Sequence, residues 1–173
     1  ARFDGRMEYG PRALGYRSIL YKADDPAANT WLNTRLKRSE FMPFAPLTLA
    51  DHGNACFQGL HGGELAARYM TMTFAVTDQL RRQSPGVVHL DGTARPQLLA
   101  EADNPGCHAI LRRFYEKTGV PTLVNTSFNL HSEPIVCTPE DAIAAFRASR
   151  LDALVMGRFL VRDPRPPVAP AGS

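Results

Sequence analysis

Residues 122–134, TLVNTSFNLHSEP, set an apolar, β-prone lead-in directly against a packed group of small polar side chains. The first half has the composition of a buried strand, and the Ser, Asn and Pro that follow end it in a ligand-facing loop. Asn125, Thr126, Ser127 and Asn129 cannot all be satisfied inside an apolar core, so a phosphate, carbonyl or sugar ligand is a natural partner. A capped helix end or a tight turn uses the same residue types, and segments elsewhere in the chain weigh between the two readings.

Working outward, helix signals flank this strand on both sides. Asn104-Pro105 puts a capping side chain ahead of a proline at the first helical position, before CHAILRRFYEKTG. There Ile110, Leu111, Phe114 and Tyr115 share an apolar face and Gly119 supplies the stop. Thr138-Pro139 repeats the device, with Ala142, Ile143 and Phe146 inward and Arg147 and Arg150 near the carboxyl end. Asp25-Pro26 does so again before AANTWLNTRLKR, residues 27–38. Between the helices lie short β-type runs at residues 46–50, 69–76, 97–100, 121–124, 153–156 and 159–161. The interleaving is irregular, and several connections are too short for a helical crossover. The expectation is a single α+β (mixed α/β) domain over residues 1–162 instead of a doubly wound parallel sheet. Residues 51–68, rich in Gly and His, read as a surface excursion. The tail 163–173 carries Pro164, Pro166, Pro167 and Pro170 and reads as extended and mobile.

Composition narrows the function classes. A chain of 173 residues, 44% hydrophobic and 21% charged, is that of a globular domain with one substantial core. It contains no run of roughly 18 apolar residues that could span a bilayer. A net charge of +3 is too small to argue for bulk nucleic-acid binding. Cys56, Cys107 and Cys137 are odd in number, far apart and without CxxC spacing, which fits a reducing cytoplasm and no disulfide framework. The five histidines show neither HxxxH nor HExxH spacing, so no metal site is expected in this chain. The amino terminus, ARFDGRMEYGPR, lacks an apolar signal core and opens in motif-like sequence, which reads as a cut edge.

Three further segments carry chemistry. GRMEYGPRALGYRSIL, residues 5–20, sets Arg6, Arg12 and Arg17 among glycines and a proline, where backbone can approach a ligand and guanidinium forks can match phosphate or carboxylate oxygens. NTRLKRSEFMPFAP, residues 33–46, ends a basic helix with Lys37 and Arg38 before Glu40 and an aromatic, proline-rich elbow; cations at a helix carboxyl end also simply complement its dipole. HLDGTARPQ, residues 89–97, turns at Asp91-Gly92 and presents Arg95, for which a surface salt bridge is the ordinary role. Taken together, cationic loops punctuated by Gly or Pro plus one Asn/Thr/Ser loop are what a pocket for a phosphorylated ligand requires. No P-loop, GxSxG or paired-carboxylate signature competes with that reading.

These segments, with NTSFN followed by EPIV and the TPEDAIAAF helix, resemble the carboxy-terminal domain of the nodulation-factor and antibiotic O-carbamoyltransferases, over residues 3–162. The resemblance implies a YrdC-like fold, a twisted mixed sheet with flanking helices, working beside an amino-terminal Kae1-like domain that this chain does not contain. It implies that carbamate derived from carbamoyl phosphate reacts with ATP to give carbamoyl-adenylate and pyrophosphate, and that the carbamoyl group passes to a small-molecule hydroxyl acceptor in the other domain. Carried over by motif, Arg12, Lys37 and Arg95 would be catalytic, contacting phosphate or carbamoyl oxygens. Arg38, Asn125 and Ser127 would bind the nucleotide and the carbamoyl-adenylate. Arg6 and Arg17 would brace the fold, and Glu8, Glu40 and Glu133 would orient arginines as ion-pair partners. Mg²⁺ would accompany ATP, with the family's metal site in the other domain. Tyr16 departs from the motif's usual small polar residue, and KADDP at 22–26 replaces its aspartate-proline-arginine. The rival readings are a noncatalytic nucleotide- or RNA-binding module and a partner-docking domain; the absence of an aromatic-interleaved basic patch weighs against RNA.

Overall fold

The computed structural model describes residues 1–36 and 43–165. Its strands are β1 (Arg2–Phe3), β2 (Arg17–Lys22), β3 (Ala45–Leu49), β4 (Phe74–Ala75), β5 (Thr93–Ala94), β6 (Gln97–Leu99), β7 (Thr122–Ser127), β8 (Ala153–Met156) and β9 (Phe159–Arg162). Its α-helices are α1 (Ala28–Arg35), α2 (Gly53–Cys56), α3 (Glu64–Arg68), α4 (Asp78–Gln83), α5 (Pro105–Thr118) and α6 (Pro139–Ser149). Seven strands form one sheet in the order β6-β3-β7-β2-β1-β8-β9, and β4 pairs with β5 separately. β1 with β8 and β3 with β6 are parallel, whereas the remaining pairs of the large sheet are antiparallel. The result is a mixed α/β domain, compatible with the YrdC-like expectation.

β7 decides this arrangement because both of its faces are buried. Leu123 and Val124 point to opposite sides of the pleat. Val124 joins Phe3, Ile19, Leu32, Phe146 and Leu154 under α1 and α6. Leu123 joins Leu47, Leu49, Leu99, Cys107 and Leu111 under α5. Each such fully buried aliphatic side chain contributes about 1.5–3 kcal/mol of transfer free energy. Thr122 would interrupt that apolar run, but its Oγ1 lies 2.9 Å from that of Thr48 on β3, and both residues are fully buried.

Two helix starts follow the sequence reading closely. The Asn104 side chain accepts from Cys107 N at 3.1 Å, Pro105 occupies the first turn, and Gly119 closes α5 at φ 71°. Thr138 and Asp141 form a reciprocal capping box on α6. The Asp25-Pro26 signal is displaced: Asp25 Oδ1 accepts from Ala27 N, and α1 begins at Ala28. The end of that helix reading, residues 37–38, lies outside the described residues.

Other expectations change. The run 69–76 is extended only at Phe74–Ala75, because α3 ends at Tyr69 and Met70 turns the chain at φ 56°. Residues 17–22, which overlap the end of the cationic segment 5–20, form a central strand between β1 and β7. The stretch 51–68 is no mere excursion: Cys56, Phe57, Leu60 and Ala67 pack with Phe74, Leu80 and Leu98 into a core of their own. Ile143 is 39% exposed, so α6 turns Ala142, Ala145 and Phe146 inward instead. On α5 the buried positions are Cys107 and Leu111, with Ile110 at 38% exposure. Most of the tail, residues 166–173, lies outside the described residues.

Candidate functional site

The loop 5–16 is held to the sheet by side chains that spend their hydrogen bonds on backbone. Glu8 Oε1 accepts from the N–H groups of Leu14 at 2.7 Å, Tyr16 at 2.8 Å and Arg17 at 3.3 Å. Asn125 Nδ2, at mid-sheet opposite Leu20 and Ala45, donates to Ala13 O at 2.9 Å and to Gln97 Oε1 at 2.7 Å. Gln97 Nε2 in turn donates to Leu14 O at 2.9 Å. Loop, β7 and β6 are thereby joined by one buried amide network, which fixes the backbone at Ala13 and Leu14, next to Arg12, relative to the sheet. Gly15 completes the loop at φ +114°, where an added Cβ would lie 2.9 Å from both Asn104 Nδ2 and Cys107 Sγ.

Over the carboxyl end of β7 this loop encloses a cavity of about 220 Å³ bordered by Arg12, Ala13, Phe44, Met70, Arg95, Asn125, Ser127, Asn129 and His131. Arg95 arrives from the short link between β5 and β6, beyond a turn in which Asp91 Oδ1 accepts from Thr93 N at 2.9 Å. Burial pushes the Arg95 pKa below its ordinary value, and the positive charge of Arg12 lowers it further. Among the described residues neither arginine has an ion-pair partner. Two cations facing one hollow without a carboxylate repel each other, and an anion between them removes the penalty.

The polar groups of β7 present acceptors more than donors. Ser127 Oγ donates to Asn129 Oδ1 at 2.6 Å, and Asn129 Nδ2 donates to Leu130 O at 3.0 Å and Glu133 O at 2.9 Å. Ser127 must swing its proton away from Asn129 to donate to a ligand. Both Nδ2 protons of Asn125 are committed, whereas its buried Oδ1 has no partner among the described residues.

Four sequence-selected residues, Arg12, Arg95, Asn125 and Ser127, therefore converge on one cavity. Lys37, Arg38 and Glu40 lie outside the described residues. Arg17 braces the fold: it is 4% exposed, donates to Asp4 O at 2.7 Å and Gly5 O at 3.1 Å, and sits 3.7 Å from the Phe3 ring centroid. Arg6 and Tyr16 border a different, neighbouring cavity. Glu8 caps backbone amides instead of orienting an arginine through an ion pair, since three converging N–H groups outcompete a mobile side chain for its oxygen. Glu133 is exposed and makes no ion pair among the described residues. Gln97 escaped the sequence reading. A glutamine opening an apolar strand, here 3% exposed, was the available signal.

Fold and cavity together define a mixed α/β domain with two arginines gathered at a cavity over the end of its central strand. The chain belongs to the Carbamoyltransferase C-terminus family, whose model matches residues 1–163. It is similar to nodulation protein NolO of Bradyrhizobium diazoefficiens, 38% identical over 159 residues, covering 91% of this chain and 29% of that protein. Nodulation protein NolNO of Sinorhizobium fredii is 38% identical over 91% of this chain and 23% of its own length. An uncharacterized protein of Methanocaldococcus jannaschii is 40% identical over 94% of this chain and 26% of its own. The chain thus spans less than a third of these relatives. No helix among the described residues is long and apolar enough to cross a membrane.

Proposed function

We propose that this chain handles ATP and carbamate within an O-carbamoyltransferase, forming carbamoyl-adenylate for transfer to a hydroxyl acceptor held by a further, Kae1-like domain. The single observation that carries the reading is the convergence of Arg12 and Arg95 on one cavity with no ion-pair partner for either among the described residues. In this reaction a carbamate oxygen attacks the α-phosphorus, the α–β phosphoanhydride bond breaks, and pyrophosphate leaves with the electron pair. Negative charge accumulates on the α-phosphoryl oxygens and on the departing group. Cations at the edge of the cavity offset that developing charge.

Asn125 and Ser127 fit the carbamoyl end. The open Oδ1 of Asn125 suits a carbamoyl NH₂ donor, and Ser127 offers oxygen lone pairs beside it. Among the described residues no group of three or more carboxylate, imidazole or thiol side chains converges. Mg²⁺ accordingly enters this reading on the phosphates of ATP, with any protein-held metal in the Kae1-like domain.

Calorimetric titration with Mg·ATP tests the reading on the wild-type chain and on Arg95→Ala and Ser127→Ala variants of confirmed folding. Saturable binding to the wild type, weakened in both variants, is the expected result. Equal binding by all three chains would refute it.

A further inference from the structure

Strand β7 runs into a short loop that is organised around Asn129. Phe128 and Leu130, 1% and 8% exposed, anchor the chain on either side of it, and Val136 N donates to Phe128 O at 3.0 Å to close the loop. Within the loop Asn129 Nδ2 donates to Leu130 O at 3.0 Å and to Glu133 O at 2.9 Å. Both acceptors are carbonyls with no proton to give, so only the amide nitrogen can face them. The fold thus fixes which way the amide points, and its Oδ1 is the atom that meets Ser127 Oγ at 2.6 Å.

That orientation decides how the Ser127 hydroxyl works. A serine has one proton and two lone pairs, and an amide oxygen can only accept. The proton is spent on Asn129, and what Ser127 keeps for the cavity it borders is acceptor capacity. A freely rotating hydroxyl would serve a donor or an acceptor ligand equally well; here the donor role is taken away. A ligand N–H then meets a lone pair, whereas a carboxylate oxygen in the same place meets a second electron-rich oxygen. Specificity of this kind comes from the repulsive contact as much as from the attractive one.

We propose that Asn129 is a positioning residue that sets ligand specificity: by holding the Ser127 proton it makes the cavity take a carbonyl compound bearing an N–H donor, such as a carbamoyl group, and reject the carboxylate of the same shape. The assignment rests on the reading above that a phosphorylated carbonyl compound occupies this cavity. Asn129 acts only through Ser127 and touches no reacting atom.

Phosphonoacetamide and phosphonoacetate are stable probes that share a phosphonate and a carbonyl and differ in an amide NH₂ against a carboxylate oxygen. Calorimetric titration of the 173-residue chain with each gives an affinity ratio, amide over acid. The pull of Arg12 and Arg95 on the more highly charged acid is common to all the Asn129 variants, so changes in the ratio report the hydroxyl. Asn129→Ala frees the Ser127 proton to turn toward the acid and should shift the ratio toward it at least about tenfold, as a charged hydrogen bond is gained. Asn129→Asp still accepts that proton and adds a negative charge, so it should keep or raise the ratio even as both affinities fall. A residue that only shaped the loop would weaken both probes alike in both variants. Ser127→Ala removes the lone pairs themselves and should move the ratio toward the acid at least about threefold; with Asn129→Asp it carries the test if Asn129→Ala does not fold. A wild type that binds neither probe, a ratio unmoved by Asn129→Ala and Ser127→Ala, or a ratio that Asn129→Asp lowers as far as Asn129→Ala does overturns the assignment. Arg95→Ala should weaken both probes. If it weakens neither while the ratio still responds to Asn129, the phosphate reading falls and the role of Asn129 stands.

Discussion

Replacing Arg95 by glutamine should stabilise the ligand-free chain while weakening its grip on polyphosphate. The charge of Arg95 is disfavoured by burial and by Arg12, and no carboxylate among the described residues offsets either effect. Two like unit charges about 10 Å apart repel by about 1.7 kcal/mol at an effective dielectric of about 20, which sets the scale for this pair. Salt reduces this to about 1 kcal/mol at roughly 0.01 M ionic strength and about 0.5 kcal/mol at roughly 0.15 M. Urea unfolding of wild type and Arg95→Gln at both ionic strengths reads that gain directly. Pyrophosphate titration of the same proteins reads the loss, which at about 1.5–3 kcal/mol for a charged hydrogen bond is roughly 10- to 150-fold in affinity. A variant less stable than wild type at low salt, with undiminished pyrophosphate affinity, would show that Arg95 supports the fold and has nothing to do with anions.

Other outcomes follow from particular residues. Gly15→Ala should cost about 3 kcal/mol or more in urea unfolding, combining a strained φ of +114° with contacts at 2.9 Å; a loss below about 1 kcal/mol would mean that the loop is free to move. Burial raises the thiols of Cys56 and Cys107 to about 11, whereas Cys137 is exposed. Iodoacetamide at neutral pH should therefore label Cys137 alone in the folded chain, as peptide mass mapping would reveal. Thr138→Ala should cost about 1 kcal/mol by removing the α6 cap. Hydrogen bonds from Thr138 N and Cys137 N, with a further one from the Thr138 side chain, hold Asp141 below the ordinary carboxylate value of 3.8. Its contribution is present above that value and disappears as pH falls through the lower folded one, so acid unfolding of Asp141→Asn should begin from a lower plateau yet show a shallower pH dependence.

Local signals were legible wherever the physics is local. The Asn104 and Thr138 caps, the prolines after them, the Gly119 stop and the short β-type runs at β8 and β9 each depend on neighbours within a few residues, and the structure has them at those places. The TLVNTS strand was recognisable because residues buried on both faces must be apolar or small. Residue type and motif single out Arg12, Arg95, Asn125 and Ser127, and all four border one cavity.

What the tertiary structure alone decided is which of these groups are spent and which are free. Asn125 reads as a ligand donor in sequence, but its amide protons hold Ala13 and Gln97, residues 112 and 28 positions away. Glu8 reads as an arginine partner and is a backbone cap. The β2 strand was hidden because RSILYK follows a glycine-rich loop without a turn signal of its own, and its pairing with β7 spans more than 100 residues. The core built from residues 51–68 was equally hidden, since short helices with few apolar residues gain burial only from the distant Leu80 and Leu98. Composition and spacing determine what a segment can become. Long-range hydrogen bonds and packing determine which of its polar atoms remain for a ligand, because the great majority of buried donors and acceptors are claimed by partners within the fold.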